Sequence, residues 1–452
     1  MTTSPSLLDT SHGVTPPVAP HRLPGVGHLP ALLRSPLDFM ASLLPLGDVV
    51  TIYLGRRPVH VVNSLDLVDE ILVARVENFT RGIIFDKAAK VLGQGLVVAE
   101  GDLHHRQRRL VQPALHRRRI AQYTDAMVAE AEVKTGAWVP GAAFDMNRQM
   151  HSLGLDMFTR ALFSSELADT AASQVKEATW AFMAGIVAQS LYPATWFEKL
   201  PFPVNRRFNR ARSQMTAAVD DIVSRYEARK GDGGDRMTIL DMVMDVQDQM
   251  GPEQLRDEVV NLVVSGAEAP GTTLSWLFHE LDQCPEVERR VYEEVCEKIG
   301  DAPLTFENLN TLEYTWTVVK ETIRLHTPTW LLTRRAVQAA DLGGYRIEAG
   351  ADIAFSLTTL HRDSKHFDHG MRFDPARWLD GRTADLPRTA FMPFATGKHG
   401  CLGEHFAQRV ILIAAVTIIR RWRMERAPGC RVREVPVALV QADGLSMLPI
   451  PR

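Results

Sequence analysis

The sequence predicts a mainly helical protein with small β-sheets, and three observations support this prediction. Apolar residues recur at helical spacing through most of the chain after position 64. β-Branched runs are short and confined to a few places. No internal repeat or linker divides the 452 residues. We therefore expect one domain over residues 23–452, preceded by a flexible tail at residues 1–22.

Composition excludes several classes of protein. Lys and Arg number 51 against 54 Asp and Glu, a net charge of −3, with 45% hydrophobic and 23% charged residues. This balance argues against a disordered chain and a basic nucleic-acid binder, so no nucleic-acid partner is expected. The longest apolar run, 410–419, is too short to cross a bilayer. With no signal peptide or membrane anchor recognisable at the start, a cytoplasmic location is expected.

The elements follow in order along the chain. Two β-branched runs, 49–53 and 59–62, flank Gly-Arg-Arg-Pro and predict a hairpin. Apolar periodicity then predicts helices at 105–110, 120–138, 147–163, 171–191, 205–229, 237–250, 252–281 and 285–300. Strand signals return at 333–337 and 345–347, and an apolar helix is expected at about 404–421.

One cysteine stands out by its surroundings. Residues 391–407 read FMPFATGKHGCLGEHFA, which places Cys401 between glycines, with Gly397 four and Phe394 seven residues earlier. Glycines let the backbone approach a planar ligand, and a helix N-terminus stabilises a negative sulfur. The pattern suits a metal thiolate shielded by Phe394. A buried structural cysteine beside a helix start is the alternative.

This segment resembles the heme-binding loop of the cytochrome P-450 family, Phe-x-x-Gly-x-x-x-Cys-x-Gly, in Phe394, Gly397, Cys401 and Gly403. Ala395 departs from the Ser, Gly, Asn or His that the family more often has there. The resemblance covers most of the chain and implies a helical fold enclosing heme b. It also implies that the Cys401 thiolate binds the iron and that the other three motif residues belong to the cofactor site.

Two further segments are similar to family motifs. Glu321 and Arg324 match Glu-x-x-Arg, and the segment 373–378 with Arg377 matches Phe-x-Pro-x-Arg. The resemblance implies a structural charge cluster under the heme loop, which serves folding and heme retention rather than catalysis. Taken alone, the first pair also fits a solvated helix face.

Four residues look like partners of the heme propionates. His104 and Arg108 match the family's helix motif, Arg334 matches the arginine after Glu-x-x-Arg, and His399 precedes the cysteine by two positions. Buried carboxylates require charged or hydrogen-bonding partners. Surface salt bridges are the alternative interpretation.

The long helix at 252–281 carries the main departure from the family. Its motif is small-Gly-x-acid-Thr, which this chain matches with Gly266 and Glu268, whereas Ala269 replaces the threonine and Pro270 follows. In the family, the acid and alcohol deliver protons to dioxygen at the catalytic centre. Pro270 cannot donate a hydrogen bond to the carbonyl of Gly266, so we expect the helix to kink or open there.

Two outcomes of this departure are open. Water, a substrate hydroxyl, Thr272 or Thr273 replaces the missing alcohol and the chain remains a monooxygenase using O2. Alternatively, poor proton delivery favours desaturation, rearrangement or use of peroxide. A heme-binding sensor without turnover and a purely helical scaffold protein are two other classes.

The resemblance also suggests the substrate. The segments that line the family's pocket are nearly all apolar here, so a lipophilic molecule of terpenoid or polyketide size, from secondary metabolism, is expected. Some of these residues could instead be ordinary core. The candidates for substrate contact are Ile84, Phe85, Val263, Ala267, Trp330 and Leu331.

Electrons are expected from a separate ferredoxin-type donor. A basic face near the cysteine side of the heme would receive an acidic protein, although a merely solvated basic face is equally consistent. The residues proposed for this face are Arg106, Arg109, Arg117, Arg118, Arg119 and Lys398.

Overall fold

The computed structural model describes residues 13–163, 185, 199–228, 238–246 and 249–452. Within these ranges, the side chains of Val91 and Ala267 are not described. Apart from residue 185, the helix predicted at 171–191 lies outside the described residues.

The largest sheet contains the predicted hairpin. Strands β1 (Val49–Leu54) and β2 (Arg57–Val62) pair antiparallel around Gly55, whose φ of 66° fits a glycine turn. The sheet continues in the order β1-β2-β8-β5-β3, with β2 and β8 parallel. Its other strands are β3 (Phe79–Arg81), β5 (Leu331–Ala336) and β8 (Asp352–Ser356). Strand β8 was not predicted, because its five residues are all buried and show no alternation.

Helices make up most of the described chain, which confirms the predicted fold class. The first four are α1 (Leu29–Arg34), α2 (Pro36–Ala41), α3 (Leu65–Asp69) and α4 (Ile83–Leu92). They are followed by α5 (Gly101–Val111), α6 (Arg117–Gly136), α7 (Met146–Leu162), α8 (Pro203–Ala228) and α9 (Ile239–Met244). The remaining helices are α10 (Pro252–Gln283), α11 (Pro285–Lys298), α12 (Phe306–Leu309), α13 (Glu313–Leu325), α14 (Leu357–Arg362) and α15 (Glu404–Arg421).

Within the described residues, three small sheets accompany the five-stranded sheet. Strand β12 (Ser446–Pro451) lies between β4 (Phe144–Asp145) and β9 (Trp422–Arg426). Two hairpins complete the set, β6 (Ala340–Leu342) with β7 (Tyr345–Ile347) and β10 (Arg433–Pro436) with β11 (Val440–Asp443). Because β4 and β12 are about 300 positions apart in sequence, their pairing joins distant parts of the chain.

Helix α10 runs through the middle of the fold, packed against α7, α8, α13 and α15. Its close approach to α7 depends on glycine: a Cβ at Gly266 would lie 2.3 Å from the Phe158 ring, and one at Gly271 would lie 2.6 Å from the His151 Cα. The helix is continuous through Pro270. The missing hydrogen bond therefore does not break it, since packing against α7 supports both sides of the proline.

The N-terminal segment differs from the expected flexible tail wherever it is described. Val14 and Val18 form β-bridges to Tyr345 and Thr51, and Ala19 is buried. Backbone hydrogen bonds to the sheet edges hold these residues in place. Among the described residues, no helix has the length and apolar character needed to cross a membrane.

Candidate heme site

The Cys401 loop is shaped by two left-handed residues. Gly397 has a φ of 72°, and a Cβ there would lie 2.1 Å from the carbonyl oxygen of Leu72, so only glycine fits. Ala395, the departure from the family motif, has a φ of 58°, which explains why glycine or asparagine suits this position. The amide of Cys401 donates to the carbonyl of Phe394 at 2.8 Å, which closes the loop.

The Cys401 side chain is exposed although the surrounding loop and helices largely desolvate it. Desolvation raises the pKa of its thiol, whereas the Gly403 amide and Arg108 act in the opposite direction. The exposure of this residue argues against the buried structural cysteine. Phe394 and Gly403 are half-buried beside it.

Helix α5 is bound to this loop through Arg108. Its guanidinium donates to the carbonyl of Gly400 at 2.8 Å. On the same helix, the ring of His104 lies 4.5 Å from the ring of His399. The structure thus brings together three of the four predicted propionate partners.

The fourth partner, Arg334, is 2% exposed on β5. Its Nη1 donates to the carbonyl of Thr333, but its Nε has no partner. Burial lowers its pKa to about 10. A buried guanidinium whose Nε is unpaired has hydrogen-bonding capacity left for an anion.

Sequence reasoning missed Arg81, at the end of β3. Its Nε is buried without a hydrogen-bond partner. Burial, followed by the charges of Arg334 and Arg108, lowers its pKa to about 10 despite the nearby Glu100 carboxylate. The signal available in the sequence was a single arginine between Phe79 and the apolar residues 83–85.

Together, these groups fit the two carboxylates of a heme. Three arginines are electrostatically coupled around one carboxylate, Glu100, which leaves an excess of positive charge. Desolvation and the neighbouring charges lower the pKa of His104 to about 3, so this ring is neutral. Nε2 of His399 faces Glu100 at 3.3 Å, whereas Nδ1 of His104 and Nδ1 of His399 lack hydrogen-bond partners. Together with the unpaired Nε atoms of Arg81 and Arg334, these buried nitrogens suit an anionic ligand.

The predicted structural cluster is assembled and fully buried. Glu321 accepts hydrogen bonds from Arg324 at 2.9 Å and from Arg377 at 3.0 Å. Trp378 and the amide of Asp374 also donate to it, both at 2.9 Å. Arg324 in turn donates to the carbonyls of residues 361, 370 and 372, which lie in the segment leading to the cysteine loop.

The predicted catalytic acid, Glu268, is 5% exposed and its Oε1 has no partner. Burial raises its pKa to about 8, so it is largely protonated at neutral pH. Ala269 is half-buried on the same helix. The structure gives Gly266 a packing contact with Phe158 on α7.

The hydroxyls considered as replacements for the missing threonine are already engaged. Thr272 is fully buried and its Oγ1 lies 3.2 Å from Nε2 of His151. Thr273 donates to the carbonyl of Ala269 at 3.0 Å.

The candidate substrate residues are found in different environments. Ile84 and Phe85 are half-buried on α4, and the Arg81 guanidinium lies 4.9 Å from the Phe85 ring centroid. Leu331 is half-buried, whereas Trp330 is 8% exposed and donates to the carbonyl of Val437 at 3.2 Å. Val263 is fully buried in the core, and the side chain of Ala267 lies outside the described residues.

The proposed basic face is partly free. Arg109, Arg117 and Arg118 are exposed. Arg109 and Arg118 line an open cleft at α5 and α6. Arg106 donates to Gln254 at 3.2 Å, and Arg119 donates to Gln122 at 2.9 Å. The Lys398 ammonium is paired with Glu77 at 3.0 Å, so it contributes less positive charge than expected.

Comparison with known proteins gives a consistent result. Residues 16–447 match the sequence family described as Cytochrome P450. The chain is 35% identical to cyclooctatin synthase and to cyclooctat-9-en-7-ol 5-monooxygenase, both of Streptomyces melanosporofaciens, over 96% of this chain and 95% of each relative. It is 31% identical to pentalenene oxygenase of Streptomyces avermitilis, over 95% of this chain and 96% of that protein.

Family membership implies a heme with thiolate ligation, the use of O2, a small-molecule substrate and a need for redox partners. The match covers the cysteine loop, the central helix and the buried charge cluster alike. The chain therefore belongs to the cytochrome P450 family and is a monooxygenase-type oxidoreductase.

Proposed function

We propose that this protein hydroxylates a lipophilic terpenoid of secondary metabolism, with Cys401 as the proximal ligand of heme b. The observation that carries this proposal is the exposed Cys401 on a loop bound by Arg108, together with the buried arginines Arg81 and Arg334, whose Nε atoms lack hydrogen-bond partners. When bound, the heme activates dioxygen for insertion into a C–H bond. Similarity to an enzyme named for pentalenene and to one named for cyclooctat-9-en-7-ol supports the substrate class.

The chain's own residues have distinct roles in this proposal. Arg81, Arg108 and Arg334 hold the propionates, together with donor nitrogens of His104 and His399. Residues Phe394, Gly397 and Gly403 shape the loop that presents the thiol. Glu268, kept neutral by burial, holds a proton on the central helix.

The apolar side chains of α4 and the half-buried Leu331 favour a lipophilic substrate. On the central helix, Leu262 is half-buried while Val263 is fully buried, so Leu262 is the better candidate for substrate contact. Trp330 is a weaker candidate for substrate contact, because its indole N–H is hydrogen-bonded to the carbonyl of Val437.

Cofactor binding is tested by reducing the purified holoprotein in the presence of carbon monoxide. The red-shifted absorbance band typical of thiolate ligation is expected for the wild type. Cys401→Ala should lose it, whereas Cys284→Ala, at a half-buried cysteine away from the loop, should keep it. Protein that remains colourless after supply of hemin contradicts the proposal.

Substrate class is tested with a terpene panel that includes pentalenene and cyclooctat-9-en-7-ol, scored by spin-state shift and product analysis under labelled dioxygen. Oxygen label in the product supports hydroxylation. Products without label favour the alternative chemistry of desaturation or rearrangement, which the absence of an alcohol at Ala269 keeps open.

We further propose an acidic ferredoxin as the electron donor, docked on the face formed by Arg109, Arg117 and Arg118. Exposed charges of one sign accelerate encounter with an oppositely charged partner. Arg109→Glu should slow reduction by an acidic ferredoxin at low salt and leave reduction by dithionite unchanged. Arg289→Glu, on α11, is the matched charge control, and equal slowing by both variants would contradict this docking face.

A further inference from the structure

One side of α10 carries a row of polar residues. Glu258, Asn261, Ser265 and Glu268 are spaced by three, four and three positions. With 3.6 residues per turn, this spacing places all four along one side of the helix. The row ends at Glu268, the buried carboxylic acid whose Oε1 has no hydrogen-bond partner.

The first two members hold a loop against the helix. The amide of Leu96 donates to Glu258 at 3.1 Å, and the amide of Val97 donates to Oδ1 of Asn261 at 3.0 Å. These contacts cover that end of the row, and both side chains are buried.

Ser265 differs from its neighbours because its side chain is open. Among the side chains described between positions 258 and 281, Ser265 alone is exposed, and Leu262, Gly266 and Ala269 next to it are half-buried. Helix α10 packs against α7, α8, α13 and α15. These four residues form the less covered part of its surface, which we call the opening. Ser265 precedes Ala269 by one helical turn and therefore presents its hydroxyl on the same side.

The Ser265 hydroxyl is also free to accept a proton. Its Oγ donates to the carbonyl of Asn261 at 2.6 Å, a helical back-bond that leaves the lone pairs of the oxygen available. Rotation about the Cβ–Oγ bond turns the hydroxyl hydrogen toward the opening. Thr273 makes the same kind of back-bond, to the carbonyl of Ala269, but it is buried. Thr272 is buried as well, and its hydroxyl lies 3.2 Å from Nε2 of His151.

We propose that Ser265 supplies the hydroxyl that is missing at position 269 and relays protons between Glu268 and an acceptor in the opening. This inference rests on the proposed monooxygenase function. One proton passes from the Glu268 carboxylic acid to Oγ of Ser265 while the hydroxyl proton of Ser265 passes to the acceptor. Ser265 is regenerated in the step, and hydronium from the solvent reprotonates the Glu268 carboxylate, so that one solvent proton is delivered to the acceptor overall.

A first test uses carbon monoxide as a probe and needs no organic substrate. The C–O stretching band of the reduced holoprotein responds to a hydrogen-bond donor near the ligand. Ser265→Ala should shift this band and remove its change on transfer to D2O, whereas Ser265→Thr should keep both. Thr273→Val removes a hydroxyl one turn beyond Ala269 and should leave the band in place. An unchanged band in Ser265→Ala overturns the proposal.

A second test separates a relay from mere proximity. Dioxygen consumption by the holoprotein, supplied with electrons by a ferredoxin and its reductase, is measured without organic substrate in H2O and D2O. Ser265→Ala lacks the positioned proton donor, so its dioxygen consumption should be slower by about 10²-fold and should show a different solvent isotope effect. Ser265→Thr, or Ala269→Thr added to Ser265→Ala, should restore it.

Equal rates of dioxygen consumption for the wild type and Ser265→Ala overturn the proposal, even if the C–O stretching band of the carbon monoxide complex shifts. Heme content and thermal stability of each variant show that a slower rate is not a folding defect. A wild type that lacks the thiolate band of the carbon monoxide complex contradicts the proposed function itself, so the two failures are distinguishable.

Discussion

Replacement of Glu321 by Gln is expected to destabilise the fold strongly. The carboxylate is fully buried and accepts five hydrogen bonds, two from Arg324 and one each from Arg377, Trp378 and the Asp374 amide. Oε1 accepts three of them and Oε2 two. If the amide oxygen of Gln occupies the Oε1 position, its NH₂ group faces two donors and both lose their acceptor.

The magnitude follows from the charge left behind. Breaking a buried ion pair by removing one partner costs about 3–5 kcal/mol, because the remaining charge stays desolvated. Here both Arg324 and Arg377 are buried, so Glu321→Gln should lower the free energy of unfolding by at least about 3 kcal/mol. Arg324 also holds carbonyls of the segment before the cysteine loop, so weaker heme retention should accompany the loss.

Urea unfolding of the holoprotein, followed by tryptophan fluorescence and heme absorbance, measures both effects. The matched control is Glu293→Gln, whose carboxylate is 57% exposed and paired with Arg289 one turn away. That exposed pair should contribute no more than about 0.5 kcal/mol. A loss in Glu321→Gln that is no larger than in Glu293→Gln would refute the reasoning.

Three further predictions concern the loop and the central helix. Ala395→Gly should raise the free energy of unfolding by about 1 kcal/mol in urea melts, because glycine removes the cost of a left-handed φ of 58°, whereas Gly397→Ala should lower it. The pKa of Glu268, raised to about 8, means that the folded state binds more protons than the unfolded state above the ordinary pKa of 4.5. Its contribution to stability is therefore fully present below pH 4.5 and is lost as pH rises to about 8, so Glu268→Gln should flatten the fall in thermal stability over that window. Asn261→Ala removes hydrogen bonds to both ends of the loop at 92–97, so protease cleavage in that loop should become faster, and an unchanged cleavage rate would count against the contact.

Local motifs made much of the site predictable. Cys401, Arg108, Arg334 and His399 were predicted from spacing and family resemblance, and the structure groups Arg108, Arg334 and His399 with His104 near the cysteine loop. Arg81 was missed because it stands in no motif and reaches the cluster only through the pairing of β3 with β5. The kink or opening expected at Pro270 was also a local argument, and the helix stays continuous there, packed against α7.

The residue that replaces the missing threonine hydroxyl could likewise not be chosen from the sequence alone. Sequence spacing alone left Thr272 and Thr273 as candidates, since hydroxyl partners cannot be read from a helix pattern. His151 on α7 engages the first, and the helix carbonyl of Ala269 engages the second. Ser265 became a candidate only when side-chain exposure was known.

The amino-acid sequence by itself determined the helical class, the cysteine loop with its glycines, and the acid on a central helix that lacks its usual threonine. These are local properties, set by residue type and by periodicity along the chain. Tertiary structure decided which donors remain unpaired, which acid is neutral and which hydroxyl is open. Those properties depend on desolvation and on partners from distant segments, which no local pattern encodes.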